Sequence, residues 1–123
     1  MNKKLASIDK IESLLSQKIK NIYQERLKHD LSCINYKLFD RTLVITLEGI
    51  VTYPEKLLKE NNHACLAKEV RKAVDSVIHP QIKEIIEEVL EVKVIDFLSD
   101  TTIDRDLTGA IAIFEFKSQQ LIE

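Results

Sequence analysis

The spacing of the apolar residues changes repeatedly along this chain, and that constrains the fold more than any other feature. Over residues 6–29, Ile8, Ile11, Leu15, Ile19 and Ile22 recur at three- and four-residue steps with polar residues between them. That is the spacing of a helix burying one stripe. Lys18 occupies a seam position and argues against a long coiled coil. From residue 31 the period falls to two. Ile34, Tyr36 and Leu38 alternate with Asn35 and Lys37, and Leu43, Ile45 and Leu47 share one face of TLVITLE. Asp40-Arg41 joins these strands into a hairpin, without the glycine that a primed turn prefers.

Helical spacing then returns. Thr52 and Glu55 stand at capping-box separation, and Pro54 fits a first helical turn, predicting a short helix through Glu60. The segment 63–91 predicts a long helix. Leu66, Val70, Ala73, Val74 and Val77 form one apolar face, and Ile82, Ile85, Ile86 and Val89 a second, beyond His79-Pro80. The proline lacks an amide hydrogen and predicts a kink or break near residue 79. Two β-rich runs follow, VKVIDFL (92–98) and AIAIFEF (110–116), separated by the polar stretch 99–109. The expectation is one α+β domain over 1–123, with an N-terminal helix (1–29) and a core (30–117). Two β-hairpins form a four-stranded antiparallel sheet, and helices cover one face.

Composition narrows the function classes. The chain is 45% hydrophobic and 31% charged, with no apolar run long enough to span a bilayer, so membrane insertion is not expected. MNKKLASIDKIESLL lacks the apolar core of a signal peptide. Cys33 and Cys65 have no CxxC spacing and read as reduced, partly buried thiols, which places the chain in the cytoplasm. The net charge is −2; residues 1–30 carry seven basic against four acidic residues, and residues 92–123 three against six. This asymmetry suits antiparallel self-association or a charged partner. Overall acidity, and the absence of a GxxG step, argue against nucleic-acid binding.

Residues 104–115, DRDLTGAIAIFE, nearly spell a calcium loop. Asp104, Asp106 and Thr108 fall at the first three ligand positions, Gly109 at the turn and Glu115 at the close. Both flanks are β-rich, whereas an EF-hand needs helices. The stretch therefore reads as a hairpin loop, with Gly109 at a positive φ and Glu115 too far along a strand to close a cage. A weak cation site at Asp100, Asp104, Asp106 and Thr108 is the alternative. His63 and Cys65 give an H-x-C step without further ligands, and read as an exposed imidazole and a buried thiol. Glu84, Glu87, Glu88 and Glu91 read as a wet helix face. In the last strand both faces are apolar: Ile111 and Ile113 on one, Ala112, Phe114 and Phe116 on the other. Since helices cover a single face, Ile111, Ile113, Phe114 and Phe116 are candidate interface residues, first for a homodimer and next for another partner. No residue pattern requires a cofactor or a catalytic group.

Four phrases resemble the MpsC family, named after a component of a sodium-dependent membrane-potential-generating system. They are LVITLEGIVTYPEKLL (43–58), LAKEVRKAV (66–74), HPQIKEIIEEVLEVKVIDFLSD (79–100) and TGAIAIFEF (108–116). The resemblance spans about residues 26–116. Family members often carry a Gly-Arg-Gly-Pro-like step before the first strand; here that place reads RLKHDLSCINY. Residues 101–107 are also longer than the usual loop. The resemblance implies a cytoplasmic accessory protein beside membrane components that handle sodium, membrane potential or inorganic carbon, with a transporter or ion-translocating subunit as its partner. It supplies no catalytic residues. The candidate ligand or partner contacts within the matching phrases are Arg71, Ser99 and Asp100.

Overall fold

The computed structural model describes the backbone of residues 2–117 and the side chains of residues 8–117. Met1 and residues 118–123 of the expected domain lie outside the described residues. The element order is α1 (Asn2–Leu27), β1 (Cys33–Phe39), β2 (Thr42–Glu48), α2 (Tyr53–Glu60), α3 (Ala64–Leu90), β3 (Val92–Thr102) and β4 (Leu107–Phe116). The strands form one antiparallel sheet in the order β1-β2-β4-β3. This is the expected α+β architecture of two hairpins and three helices.

The alternation seen in the sequence decides which sheet face is covered. Leu43, Ile45 and Leu47 of β2, and Ala110, Ala112 and Phe114 of β4, turn inward. They pack with Leu15, Ile19 and Tyr23 of α1 and with Ile78, Ile82, Ile85 and Ile86 of α3. Burying side chains of this size contributes roughly 1.5–3 kcal/mol each, so this single cluster is the main stabilising element. A smaller cluster of Val51, Ala67 and Ile103, with Leu58 against it, fastens α2 and the β3–β4 turn to α3.

Several expectations need correction. Of the kink or break expected near residue 79, the break does not occur: α3 is one continuous helix through Pro80. The missing amide falls beside an exposed surface, and the Gln81 side chain donates to the Val77 carbonyl at 3.2 Å in that turn. The first half of α3 buries Ala67, Arg71 and Ile78, while Leu66 and Val77 are exposed, a shift of the stripe by one residue. The strands of the second hairpin reach further than their apolar runs, β3 to Thr102 and β4 back to Leu107, because Thr101 and Thr108 pair across the ladder. Gly109 consequently lies in extended backbone within β4, and the positive φ of this turn belongs to Asp106 (51°). Asp40 takes the same left-handed conformation in the first turn (φ 53°), which is how that hairpin closes without glycine. Cys65 is exposed, since it falls on the outer side of the first turn of α3; Cys33 is half-buried.

A bulge at Ile95 shifts the register between Val94 and Asp96. Glu87 Oε2 accepts the Val94 amide at 2.9 Å just before it, so one member of the expected wet glutamate face is structural.

Candidate functional site

The segment Ile50–Thr52 leaves β2 after Gly49 (φ 86°) and delivers the start of α2 against α3. Glu55 sits in the first turn of α2, and its carboxylate reaches back to Thr52. The Thr52 amide donates to Oε2 at 3.0 Å and the Thr52 hydroxyl at 2.8 Å. Glu55 is completely buried, an unusual place for a carboxylate. Its compensating charge is Arg71 of α3, 5% exposed, whose Nη1 lies 3.3 and 3.2 Å from the two carboxylate oxygens and 3.3 Å from the Ile50 carbonyl. One turn on, Asp75 accepts from Arg71 Nε at 3.2 Å. Arg71 is thus not a surface charge; it ties α2, α3 and the β2–α2 connection together. The guanidinium is not saturated. Nη2 is buried and approaches Asp75 Oδ1 at 3.1 Å, but its N–H bonds are out of line and make no hydrogen bond.

The network extends to α1 and to the far turn of α3. Burial pushes the Tyr23 phenol up to about 12; Arg71 opposes this and the acids Asp75 and Glu55 add to it. Burial also holds His79 below its usual value, with Asp75 opposing and Arg71 adding. The 3.6 Å approach of His79 to Asp75 is therefore a contact between a neutral imidazole and a carboxylate near neutral pH, rather than an ion pair. The imidazole packs edge-on against Phe97, with ring centroids 5.1 Å apart.

Arg71 also lines a cavity of about 230 Å³ between α2, α3 and the end of β3. Lys59, Lys68 and Lys72 stand around it, and Asp100 and Thr101 close its strand side. Ala64 and Ile103 supply apolar wall. Of the three expected contacts, the fold brings Arg71 and Asp100 to this one cavity. Ser99 lines instead a shallow groove with Leu98, Gly109 and Ile111.

The acidic loop is occupied by its own protein. Asp104 pairs with Lys59 at 2.8 Å. Asp106 pairs with Lys56 at 3.2 Å, and its other oxygen accepts the Val51 amide at 2.8 Å. The buried Thr108 hydroxyl bonds Thr101 Oγ1 at 2.7 Å. Glu115 is the ninth residue of β4, opposite Lys93. Among the described residues no three His, Cys, Asp or Glu side chains converge on a point that would hold a metal ion.

The expected interface residues divide. Ile111 (39% exposed) and Ile113 (36% exposed) lie on the open sheet face, beside Val44 and Leu98. Phe116 is exposed at the strand end. Phe114, 3% exposed, belongs to the core, because its parity along β4 matches Ala110 and Ala112.

Sequence reading missed Glu55 and Tyr23 as members of the site, and it missed the converging lysines. The Thr52–Glu55 capping spacing did mark Glu55, but only as a helix start. The α3 positions 64, 68, 71 and 72 are separated by four, three and one residues, so they share a helix side, a pattern visible in the sequence.

A family model described as Na+-translocating membrane potential-generating system (MpsC) matches residues 7–116, so the match takes in most of α1 as well as the sheet. No curated protein and no solved structure matches the chain.

Proposed function

The chain belongs to the MpsC family, and from that premise we propose that it is a non-enzymatic accessory or regulatory module of a Na+-translocating, membrane-potential-generating system. No described helix is long and apolar enough to cross a membrane; in this reading the module docks on membrane components. The observation that carries the reading is the open sheet face. Val44, Leu98, Ile111 and Ile113 form a contiguous apolar patch across β2, β4 and β3, with no helix over it among the described residues. Apolar patches of this kind serve contacts. In this reading the patch pairs two copies back to back on the cytoplasmic side, and the dimer presents its helical faces to the ion-translocating subunit. Arg71, paired on both sides by carboxylates, holds the helices that make up that surface.

Co-purification tests this. The tagged chain, recovered in mild detergent from cells that make it natively, brings down an ion-translocating membrane subunit in stoichiometric amount. Recovery of the chain alone contradicts the reading. The pairing is tested separately by light scattering: the dimer mass falls to that of a monomer in Ile111→Asp/Ile113→Asp, and an unchanged mass removes the sheet face from the account.

The second reading is a small-ligand or ion sensing module. The cavity beside Arg71 favours the ligand form of it. The ion pairs already made by Asp104 and Asp106 weigh against the calcium form.

A further inference from the structure

We propose that the cavity between α2, α3 and the end of β3 binds a small phosphate monoester, with the phosphate held by Lys68 and Lys72 beside Arg71. Its lining carries four cationic side chains, Lys59, Lys68, Arg71 and Lys72, against the single carboxylate of Asp100. Lys59 is partly spent on Asp104. Lys68 and Lys72 are four residues apart on one helix side, where like charges repel, and neither has an ion-pair partner among the described residues. An anion between them removes that repulsion.

A second observation points the same way. Arg71 lines this cavity, is 5% exposed, and its buried Nη2 lies 3.1 Å from Asp75 Oδ1 without an aligned hydrogen bond. The Arg71 guanidinium therefore adds fixed positive charge at the cavity wall, while the exposed lysines supply the donors that reach a phosphate. The 27-residue α3 begins at the cavity wall with Ala64, and its N-cap residue His63 makes no side-chain cap. The first-turn amides there add partial positive charge at the same end.

The rest of the lining selects the ligand's size and its other half. A volume of about 230 Å³ exceeds a phosphate group and falls below the range of most drug-sized pockets. Ala64 and Ile103 offer short apolar contact, and Asp100 offers an acceptor for a polyol hydroxyl. A three- or four-carbon polyol phosphate fits these terms.

The inference stands apart from the accessory role. A chain that binds the phosphate ester but recovers no membrane subunit keeps this site and loses that role. The test is isothermal titration of the whole chain with glycerol 3-phosphate, with inorganic phosphate and glycerol titrated separately. Saturable binding is expected for glycerol 3-phosphate, weaker binding for phosphate and none for glycerol. Lys68→Ala/Lys72→Ala should weaken binding by about 10-fold or more, equivalent to about 1.4 kcal/mol. Both lysines are exposed, so the variant should unfold at the same urea concentration as the parent. Absence of saturable heat up to about 10 mM, a concentration that would reveal millimolar affinity, overturns the proposal. So does unchanged affinity in the double lysine variant.

Discussion

Glu55→Gln is the sharpest probe of the buried ion pair. The substitution keeps the shape of the side chain and one carbonyl oxygen able to accept from Thr52. It removes the charge facing Arg71 at 3.2 Å, in a fully buried place. It also points amide hydrogens towards a guanidinium that only donates. Breaking one side of a buried pair costs about 3–5 kcal/mol. The lower end applies here, because Asp75 still faces Arg71 and is partly open to solvent. A loss of about 3 kcal/mol lowers the melting temperature of a domain this size by roughly 10 °C. With a urea dependence of about 1.5 kcal/mol per molar, the midpoint moves down by about 2 M. The assay is urea unfolding followed by circular dichroism, with the slope compared between variants. A double-mutant cycle adding Arg71→Met isolates the pair. Its two single effects should exceed the double effect by at least about 1 kcal/mol. A Glu55→Gln loss below about 1 kcal/mol, or strict additivity, refutes the claim that this pair holds α2 to α3.

Four further outcomes follow from other parts of the structure. Gly49→Ala should cost about 1–3 kcal/mol, since φ is 86° and the new Cβ would lie 2.4 Å from Ser32 Oγ; Gly109→Ala, extended and with nothing within 4 Å, should be neutral or slightly stabilising, and equal costs in urea would contradict both assignments. The neutral form of His79 is favoured by folding, so its contribution is present above about pH 6.5 and is lost as pH falls through the lowered native value; the stability difference between pH 7.5 and pH 5 should shrink in His79→Gln, and an unchanged difference counts against a buried neutral ring. Tyr23 and Tyr36 are both pushed up to about 12 by burial, so the unfolded chain ionises first and stability declines as pH rises from about 10 towards 12; Tyr23→Phe should flatten that decline, and an identical pH profile would show that the phenol is not held neutral. Calcium at millimolar concentration should release no heat and leave the melting temperature unchanged, because Asp104 and Asp106 are engaged by Lys59 and Lys56; heat that disappears in Asp104→Ala would reverse this.

The elements were legible because period and face agree in them. Ile45 and Leu47 point inward for the same reason that they are two residues apart, and Thr52, Pro54 and Glu55 start α2 where local chemistry says a helix starts. The extension of β3 and β4 through Ser99–Thr102 and Leu107–Gly109 was hidden. Those residues are polar or small, and only pairing across the ladder makes them strand. Pro80 does not end α3, because Ile78 and Ile82 on either side of it are packed into the core. The site was half legible. Arg71 and Asp100 stood out within shared phrases, but burial of Glu55 cannot be read from an exposed-looking YPEKLLKE. It depends on α2 lying against a residue sixteen positions away. The cavity depends on the register of β3 against α3, which no local pattern encodes.

The central claim is the accessory role, and its most direct test is functional. Membrane vesicles from cells with and without the chain are energised with a sodium gradient, and the membrane potential is followed with a voltage-sensitive dye. The account predicts a smaller sodium-dependent potential without the chain. Purified wild-type protein should restore it, and Ile111→Asp/Ile113→Asp should not. A potential that is the same in both sets of vesicles would contradict the account.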